Sequence, residues 1–170
     1  MAGMGSHQTH GNGEKVWLTP LHLIQALGPF DLDPCFSEPR PWPTASVHYG
    51  RDAAGGLGGL FEEWRGFVWC NPPYDKTARE WLAKCAEHGR AIALIFARTE
   101  TEAFFSEVWN KADAVFFLEG RLTFMKPTGE KAGANGGAPS VLVCYGAEAV
   151  ERVKASGLRG RLVQLKGAEN

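Results

Sequence analysis

The chain has 170 residues, of which 44% are hydrophobic and 22% charged, and its formal net charge is −1. This length suffices for one globular domain that buries its core without disulfides or metal ions. A charge so close to neutral excludes a general polyanion binder, so any nucleic-acid contact has to come from a local basic patch. The sequence shows neither a membrane span of ~18 apolar residues nor a signal peptide, which predicts a cytoplasmic protein.

The cysteines and histidines predict no metal centre. Cys35, Cys70, Cys85 and Cys144 are far apart and form no C-x-x-C pair, so we expect reduced, buried thiols. The histidines beyond residue 15 have no metal-ligand spacing. Residues 1–15 are polar and contain glycine and histidine, which is typical of a disordered or artificial leader.

The first predicted element after the leader is a helix. Thr19 suits its N-cap and Pro20 its first position, where the missing N–H of proline costs no hydrogen bond. Apolar residues at helical spacing follow, and Gly28-Pro29 ends the helix.

A short strand is predicted next over residues 30–32, and it ends in the tripeptide Asp33-Pro34-Cys35. Residues 36–60 are rich in proline and glycine and show no sustained period. They predict a long functional loop with one short strand near residues 47–49.

Helices and strands alternate through the rest of the chain, which predicts a three-layer α/β domain. The predicted strands cover 67–70, 91–97, 114–118, 121–125, 140–145 and 161–165, the helices 76–88, 101–110 and 147–155, and a flexible loop 126–139.

The most informative motif is the tetrapeptide Asn71-Pro72-Pro73-Tyr74, which follows the apolar run at 67–70. Such a run is typical of a strand buried on both faces of a parallel sheet. Ligands of these sheets bind beyond the carboxyl ends of the strands, which is where Asn71 is expected.

The chemistry of this tetrapeptide suits methyl transfer to an exocyclic amine. A conjugated NH2 group is a poor nucleophile because its lone pair is delocalised into the ring. The Asn71 side-chain oxygen and the Pro72 carbonyl can each accept one N–H and favour a tetrahedral nitrogen. Two consecutive prolines fix the direction of that carbonyl, and Tyr74 can stack on a base that has left its helix.

These residues resemble the small, phage-type DNA N6-adenine methyltransferases, and more broadly the S-adenosylmethionine-dependent amino-methyltransferases. The resemblance runs from Trp17 to about Tyr145. It rests on Trp17-Leu18-Thr19-Pro20, Asp31-Leu32-Asp33-Pro34-Cys35, Tyr49 with Asp52, Asn71-Pro72-Pro73-Tyr74, Arg98 to Thr101 before Phe104-Phe105, and Gly120 to Phe124.

The resemblance implies a Rossmann-like S-adenosylmethionine-dependent methyltransferase sheet with helices on both faces. It also implies one methyltransferase catalytic domain over residues 16–170, with S-adenosylmethionine as cofactor, DNA as partner, and neither a metal nor a membrane. By the same resemblance, we expect a phage- or prophage-encoded protein that works in the bacterial cytoplasm.

The cofactor contacts that the resemblance implies are Trp17, Thr19, Pro20, Asp33, Pro34, Cys35, Asp52 and Asn71. Thr19 matches an element that contacts the methionine portion, and Asp52 is similar in placement to an acid that accepts from the cofactor's adenine amine. From the residues alone, Asp33-Pro34 also suits a plain turn, Asp52 a loop cap, and Trp17 a hydrophobic staple.

The chain departs from the larger relatives after its first strand. Those relatives have a Gly-rich turn, a helix and a second strand that ends in an acid for the ribose hydroxyls. This chain has Phe36-Ser37-Glu38-Pro39 there and is abbreviated. Asp33 is therefore the first candidate for the ribose contact, and Asp31 the second.

The substrate contacts are assigned to Pro73, Tyr74, Arg98, Arg121, Lys126 and Lys131. Arg98 and Arg121 suit surface ion pairs equally well. The motif leaves three alternatives to adenine N6 methylation: N4-cytosine methylation, protein-glutamine methylation, and a non-catalytic module that only holds DNA.

Overall fold

A computed structural model describes residues 18–50, 58–133 and 137–166. Trp17, Asp52 and the leader at 1–15 lie outside the described residues. The strands are β1 (Leu32–Phe36), β2 (Val47–Gly50), β3 (Val68–Cys70), β4 (Ala91–Phe96), β5 (Ala114–Leu118), β6 (Ser140–Tyr145) and β7 (Gly160–Gln164). The helices are α1 (Leu21–Leu27), α2 (Gly58–Phe61), α3 (Ala78–His88), α4 (Glu102–Phe104) with a π-helical turn (Phe105–Trp109), and α5 (Ala147–Ala155).

The strands form one sheet in the order β2-β1-β3-β4-β6-β5-β7. The first four strands in this order are parallel, whereas β6 runs antiparallel to β4 and to β5, and β7 antiparallel to β5. The carboxyl ends of β1, β3, β4 and β5 therefore meet at one edge of the sheet, which we call the carboxyl edge.

Helices cover both faces of the sheet, as predicted. Buried residues of α1 and α5 pack with Phe67 and Trp69 on one face. Buried residues of α3 and the π-helical turn pack with Val68 and Cys70 on the other. Side chains of a strand point alternately to the two faces, so the continuous apolar run fills both core layers. Burying one large apolar side chain contributes about 1.5–3 kcal/mol.

The predicted start of the first helix is wrong by one residue. Pro20 rather than Thr19 is the N-cap, and α1 begins at Leu21. The Thr19 hydroxyl does not cap the helix and instead accepts a hydrogen bond from the side chain of Asn71.

The strand predicted over 30–32 is also misplaced, because β1 begins at Leu32 and includes Asp33-Pro34-Cys35. This segment pairs in parallel with the neighbouring β2, and Asp33 lies opposite His48 and Phe36 opposite Gly50. The register shifts between these pairs, at the irregularity where Pro34 lies. Proline is tolerated at such a bulge because no ladder donor is needed there.

The strand predicted at 121–125 is wrong, and only Met125 pairs, in isolated bridges to Leu18 and Lys131. The described part of the loop predicted at 126–139 is not free either. The Lys126 N–H donates to the Glu130 carbonyl at 2.8 Å, and the buried Ala132 donates to the Phe124 carbonyl at 2.9 Å. These bonds turn 124–132 into a small closed hairpin.

The other predicted helices and strands are confirmed to within one or two residues at each end, including the short strand near 47–49. Helix α2 was not predicted, because it begins at Gly58 within the loop predicted over 36–60. Within the described parts of the chain, no helix is long and apolar enough to cross a membrane.

Candidate active site

The Asn-Pro-Pro-Tyr motif lies at the carboxyl edge of the sheet, as predicted. Asn71 follows the last residue of β3, which pairs in parallel with β4. Ser140, the first residue of the antiparallel β6, lies opposite Phe96 at the end of β4. Residues far apart in the chain therefore converge on one place beside the motif.

The side-chain amide of Asn71 is held at both ends. Its Nδ2 donates to Oγ1 of Thr19 at 3.4 Å, and its Oδ1 accepts from the hydroxyl of Tyr74 at 3.2 Å. Thr19 is buried, so its hydroxyl is a fixed partner. These two bonds orient the amide and place its oxygen towards the tyrosine.

Tyr74 belongs to a cluster of three aromatic rings. Its ring stacks on Phe96 with centroids 4.3 Å apart and planes 21° apart. Phe124 meets the Tyr74 ring edge-on at a centroid distance of 6.0 Å. Burial raises the pKa of the Tyr74 phenol above its ordinary value, so the hydroxyl keeps its proton and donates it to Asn71.

Phe96 and Phe124 are site residues that sequence reasoning missed. Phe96 ends the strand next to β3, and an aromatic residue at that position was a usable signal. Phe124 belongs to the element Gly120 to Phe124, and its packing on Tyr74 was not predicted. The contact depends on a segment that forms isolated bridges instead of a strand.

Asp33 is the second residue of β1, is buried, and is bound by groups of the same chain. Its Oδ1 accepts from the Cys35 N–H at 3.0 Å, and its Oδ2 accepts from Arg40 at 3.2 Å and from the hydroxyl of Thr44. Burial raises the pKa of Asp33, whereas the Arg40 charge and the hydrogen bonds act in the opposite direction.

Arg40 and Thr44 belong to the segment 37–46 that joins β1 to β2, and we call this segment the β1–β2 loop. The Arg40 guanidinium also lies 4.5 Å above the ring centroid of Phe36. Its side chain is only 7% exposed, so the ion pair with Asp33 is a buried one. Such pairs form only where hydrogen bonds offset the loss of water, and here they tie the β1–β2 loop to the end of β1.

Asp31 occupies the opposite edge of the sheet. Its carboxylate accepts from the Phe67 N–H at 2.6 Å, just before β3 begins. It packs so closely against Gly66 that a β-carbon there would clash with the Asp31 side chain, and the φ of 72° at Gly66 also favours glycine. The structure therefore separates Asp31, the second candidate for the ribose, from Asn71.

The cysteines are free and buried, as predicted. Cys35 and Cys70 lie side by side at the ends of β1 and β3, with sulfurs 3.7 Å apart. Burial raises the pKa of the Cys35 thiol well above its ordinary value. Among the described residues, no group of three His, Cys, Asp or Glu side chains is arranged to hold a metal ion.

The predicted basic residues lie around the motif at different distances. Arg98 is exposed two residues after Phe96, and Lys126 is half-buried in the closed hairpin. Arg121 and Lys131 line a groove beside the start of α1. The structure thus brings Thr19, Asn71 and Tyr74 into direct contact and places Arg98, Arg121, Lys126 and Lys131 at their periphery.

Residues 6–156 match the model of a protein family described as DNA N-6-adenine-methyltransferase (Dam). Comparisons with curated proteins and with solved structures give no match to the chain. The family match covers most of the chain and includes strands β1 to β6 and the Asn-Pro-Pro-Tyr site, whereas β7 lies beyond it. The fold is accordingly the Rossmann-like methyltransferase fold, and the chain belongs to the DNA N-6-adenine-methyltransferase (Dam) family.

Proposed function

We propose that the protein transfers a methyl group from S-adenosylmethionine to the N6 amine of adenine in DNA. The observation that carries this proposal is the Asn71 amide, held by Thr19 and Tyr74 at the carboxyl edge in a chain of the Dam family. An oxygen acceptor fixed next to an aromatic ring is what an amine on a planar base requires.

The cofactor site is proposed at the carboxyl ends of β1 and β3. When bound, S-adenosylmethionine supplies an electrophilic methyl group carried on a sulfonium. The donor set fits its polar groups, since the Thr19 hydroxyl, the Asn71 amide and the backbone of Pro34-Cys35 suit amino-acid and ribose hydrogen bonds. Trp17, Pro20 and Asp52 complete the proposed set.

Asp33 has a different proposed role from a simple ribose acceptor. Its two oxygens already accept three hydrogen bonds from Cys35, Arg40 and Thr44. We therefore infer that Asp33 supports the cofactor site chiefly by holding the β1–β2 loop against β1. A remaining lone pair on Oδ1 is its only further acceptor capacity.

The adenine is proposed to leave its helix and stack on Tyr74, with Pro73 beside it. Asn71 Oδ1 has two lone pairs, so it can accept one N6–H while it keeps the bond from the Tyr74 hydroxyl. The Pro72 carbonyl accepts the other N6–H. The nitrogen lone pair then points away from both acceptors, towards the methyl group.

The two acceptors act most strongly in the transition state. As the bond from N6 to the methyl carbon forms, the carbon–sulfur bond of the sulfonium would break and its electron pair would stay on sulfur as a thioether. Positive charge would develop on N6, two fixed oxygen dipoles would stabilise that charge, and one N6 proton would then be released to water. Productive attack requires the reacting atoms to lie about 3–3.5 Å apart, which the stacked base and the held amide both favour.

DNA contacts are proposed for Arg98, Arg121, Lys126 and Lys131. All four lie on segments that follow strands at, or connect to, the carboxyl edge. Because the whole chain has a formal net charge of −1, phosphate binding has to rely on such a local set.

The test is to incubate the protein with DNA and S-adenosylmethionine labelled in its methyl group, and to identify the labelled nucleoside by mass spectrometry. N6-methyladenine is the expected product. Label in N4-methylcytosine, label in glutamine of an added protein extract, or no label with intact DNA binding would each replace the proposal by the corresponding alternative.

A further inference from the structure

A groove of about 800 Å³ lies between the start of α1, the segment after β5 and the turn between α5 and β7. Its lining includes His22, Trp42, Arg121, Lys131 and Arg159. We call it the basic groove, because the side chains of two arginines and one lysine line it. The site described above accounts for the neighbours of this groove but not for the groove itself.

We propose that the basic groove binds the sugar-phosphate backbone of the DNA strand that flanks the target adenine. This inference rests on the proposed function. Among the described residues of the lining, Glu119 is the one carboxylate, against Arg121, Lys131 and Arg159. A local excess of positive charge in a chain with a formal net charge of −1 is the electrostatic footprint of a phosphate-binding surface.

Two segments of the chain contribute both to the basic groove and to the contacts of the Asn-Pro-Pro-Tyr motif. Pro20 lines it and directly follows Thr19, whose hydroxyl accepts from Asn71. Met125 also lines it and directly follows Phe124, whose ring packs on Tyr74. We infer that a strand whose adenine lies on Tyr74 passes along these two segments into the groove.

The hairpin that carries Lys131 packs against the β1–β2 loop. Lys131 pairs with Met125, and Gly129 in the same hairpin lies against Pro41 and Trp42. Gly129 has a φ of 86°, and a β-carbon there would lie 3.2 Å from Cγ of Pro41. The close approach of this backbone places the hairpin, and with it Lys131, against the Trp42 side of the groove.

Arg159 can exchange its present partner for a phosphate. Its Nη2 and Nε donate to the two Glu119 oxygens at 2.8 and 3.1 Å, and the two side chains are 83% and 58% exposed. An exposed ion pair contributes little to stability, and a guanidinium binds carboxylate and phosphate oxygens in the same bidentate way. Glu119 is therefore a competitor that bound DNA has to displace.

The experiment measures binding of an adenine-containing DNA duplex by fluorescence anisotropy across a series of salt concentrations. In the triple variant Arg121→Ala, Lys131→Ala, Arg159→Ala, the fall of log affinity with log salt should become less steep by about 2–3. Each phosphate contact contributes about 0.9 to the steepness of this slope.

A matched control removes the same charge from the opposite edge of the sheet. Arg65, Arg90 and Lys166 are exposed cations that precede β3, precede β4 and follow β7, and each is paired with a carboxylate. The variant Arg65→Ala, Arg90→Ala, Lys166→Ala should keep the wild-type slope. An equal loss in both triple variants would overturn the groove, since it would report net charge alone.

Glu119→Gln should change the affinity for DNA in the opposite direction. It removes the competing charge and releases Arg159 at an exposed position, so DNA should bind several-fold more tightly. Unchanged affinity in this variant together with an unchanged slope in the first triple variant would overturn the groove. Methylation is scored separately: N6-methyladenine formed by the wild type with no groove effect leaves the proposed function standing, and a groove effect without methylation does the reverse.

Discussion

The proposed role of Asn71 depends on its hydrogen bonds with Thr19 and Tyr74. Thr19 comes from the segment before α1, and Tyr74 from the same tetrapeptide, and together they leave the amide one orientation. Tyr74 thus has two tasks in the proposal: its hydroxyl donates to the amide of Asn71, and its ring is proposed to stack on the base. The phenol can perform the first task only as a neutral donor, which its raised pKa ensures.

The ring and the hydroxyl of Tyr74 can be separated by substitution. Tyr74→Ala should weaken the flipped state by roughly 1–3 kcal/mol, because the stacking partner of the base is lost. Tyr74→Phe keeps the ring and loses one hydrogen bond, so base flipping should persist. The lost bond should lower the unfolding free energy by about 0.5–1.5 kcal/mol. A fluorescent base analogue at the target position reports flipping. Equal signals from wild type and Tyr74→Ala would contradict the stacking role.

Asp33 and Asp31 form a matched pair of substitutions. Asp33→Ala leaves the Arg40 guanidinium buried without its partner, which typically costs about 3–5 kcal/mol of unfolding free energy. The dissociation constant for S-adenosylmethionine should rise as well, because the β1–β2 loop loses its anchor. Denaturant unfolding and calorimetric titration measure the two effects.

Asp31→Ala is the control for Asp33→Ala. It removes the acceptor for the Phe67 N–H at the opposite edge, so it should cost stability, about 1–3 kcal/mol, and leave cofactor affinity unchanged. A folded Asp33→Ala protein with normal affinity would remove Asp33 from the cofactor site. Lost affinity in Asp31→Ala would restore Asp31 as a candidate.

The β1–β2 loop is the element that most distinguishes this chain from the expected pattern. A direct connection of residues 37–46 joins two parallel strands, and buried polar contacts of Asp33 and His48 hold it. Nε2 of His48 accepts from the N–H groups of Thr44 and Ala45 at 3.3 and 3.2 Å. That nitrogen can accept only while it carries no proton.

This histidine predicts a pH dependence of the loop. Burial lowers the pKa of His48 below its ordinary value of 6.5, with Arg40 acting in the same direction and Asp33 opposing it. The unfolded chain then binds a proton at higher pH than the folded protein does. The stabilisation is therefore complete above about pH 6.5 and is lost as the pH falls through the folded-state pKa.

The unfolding free energy and the affinity for S-adenosylmethionine, measured from pH 7.5 down to 5.5, check this dependence. Both should decline in the wild type. His48→Gln has an amide that can accept without titrating, so its decline over that range should be smaller. Identical profiles for the two proteins would assign the pH dependence to other groups.

Elements with a clear period were predictable, and elements defined by their neighbours were not. α3 and β3 follow from apolar spacing, a Gly89 C-cap and a continuous buried run. Leu122 and Phe124 alternate like residues of a strand, yet they are buried by packing against other side chains rather than by pairing. Sequence spacing cannot distinguish these two kinds of burial.

The same limit applies to the candidate site. The edge of the sheet and Asn71 were predictable because strand direction alone places them. The stacking of Phe96 on Tyr74 and the pairing of Arg40 with Asp33 depend on which strands are neighbours and on how one loop closes. Trp17 and Asp52 stay predictions.

At the scale of the whole molecule, charge and chemistry are arranged around one edge of the sheet. A nearly neutral chain gathers cations in the basic groove, and the groove begins next to the two segments that hold Asn71 and Tyr74. The proposed phosphate contacts of the groove would concentrate DNA affinity where the base is proposed to be methylated. It also predicts that affinity and catalysis can be removed separately by different substitutions.

The most direct test of the account is the rate of N6-methyladenine formation by wild type and Asn71→Ala on one oligonucleotide, with cofactor affinity measured in parallel. Removing one of two acceptors fixed for the transition state should lower the rate by about 10²–10³, equivalent to about 2.7–4 kcal/mol. The dissociation constant for S-adenosylmethionine should change much less. Near-normal turnover by a folded Asn71→Ala protein would contradict the central claim that this amide assists methyl transfer.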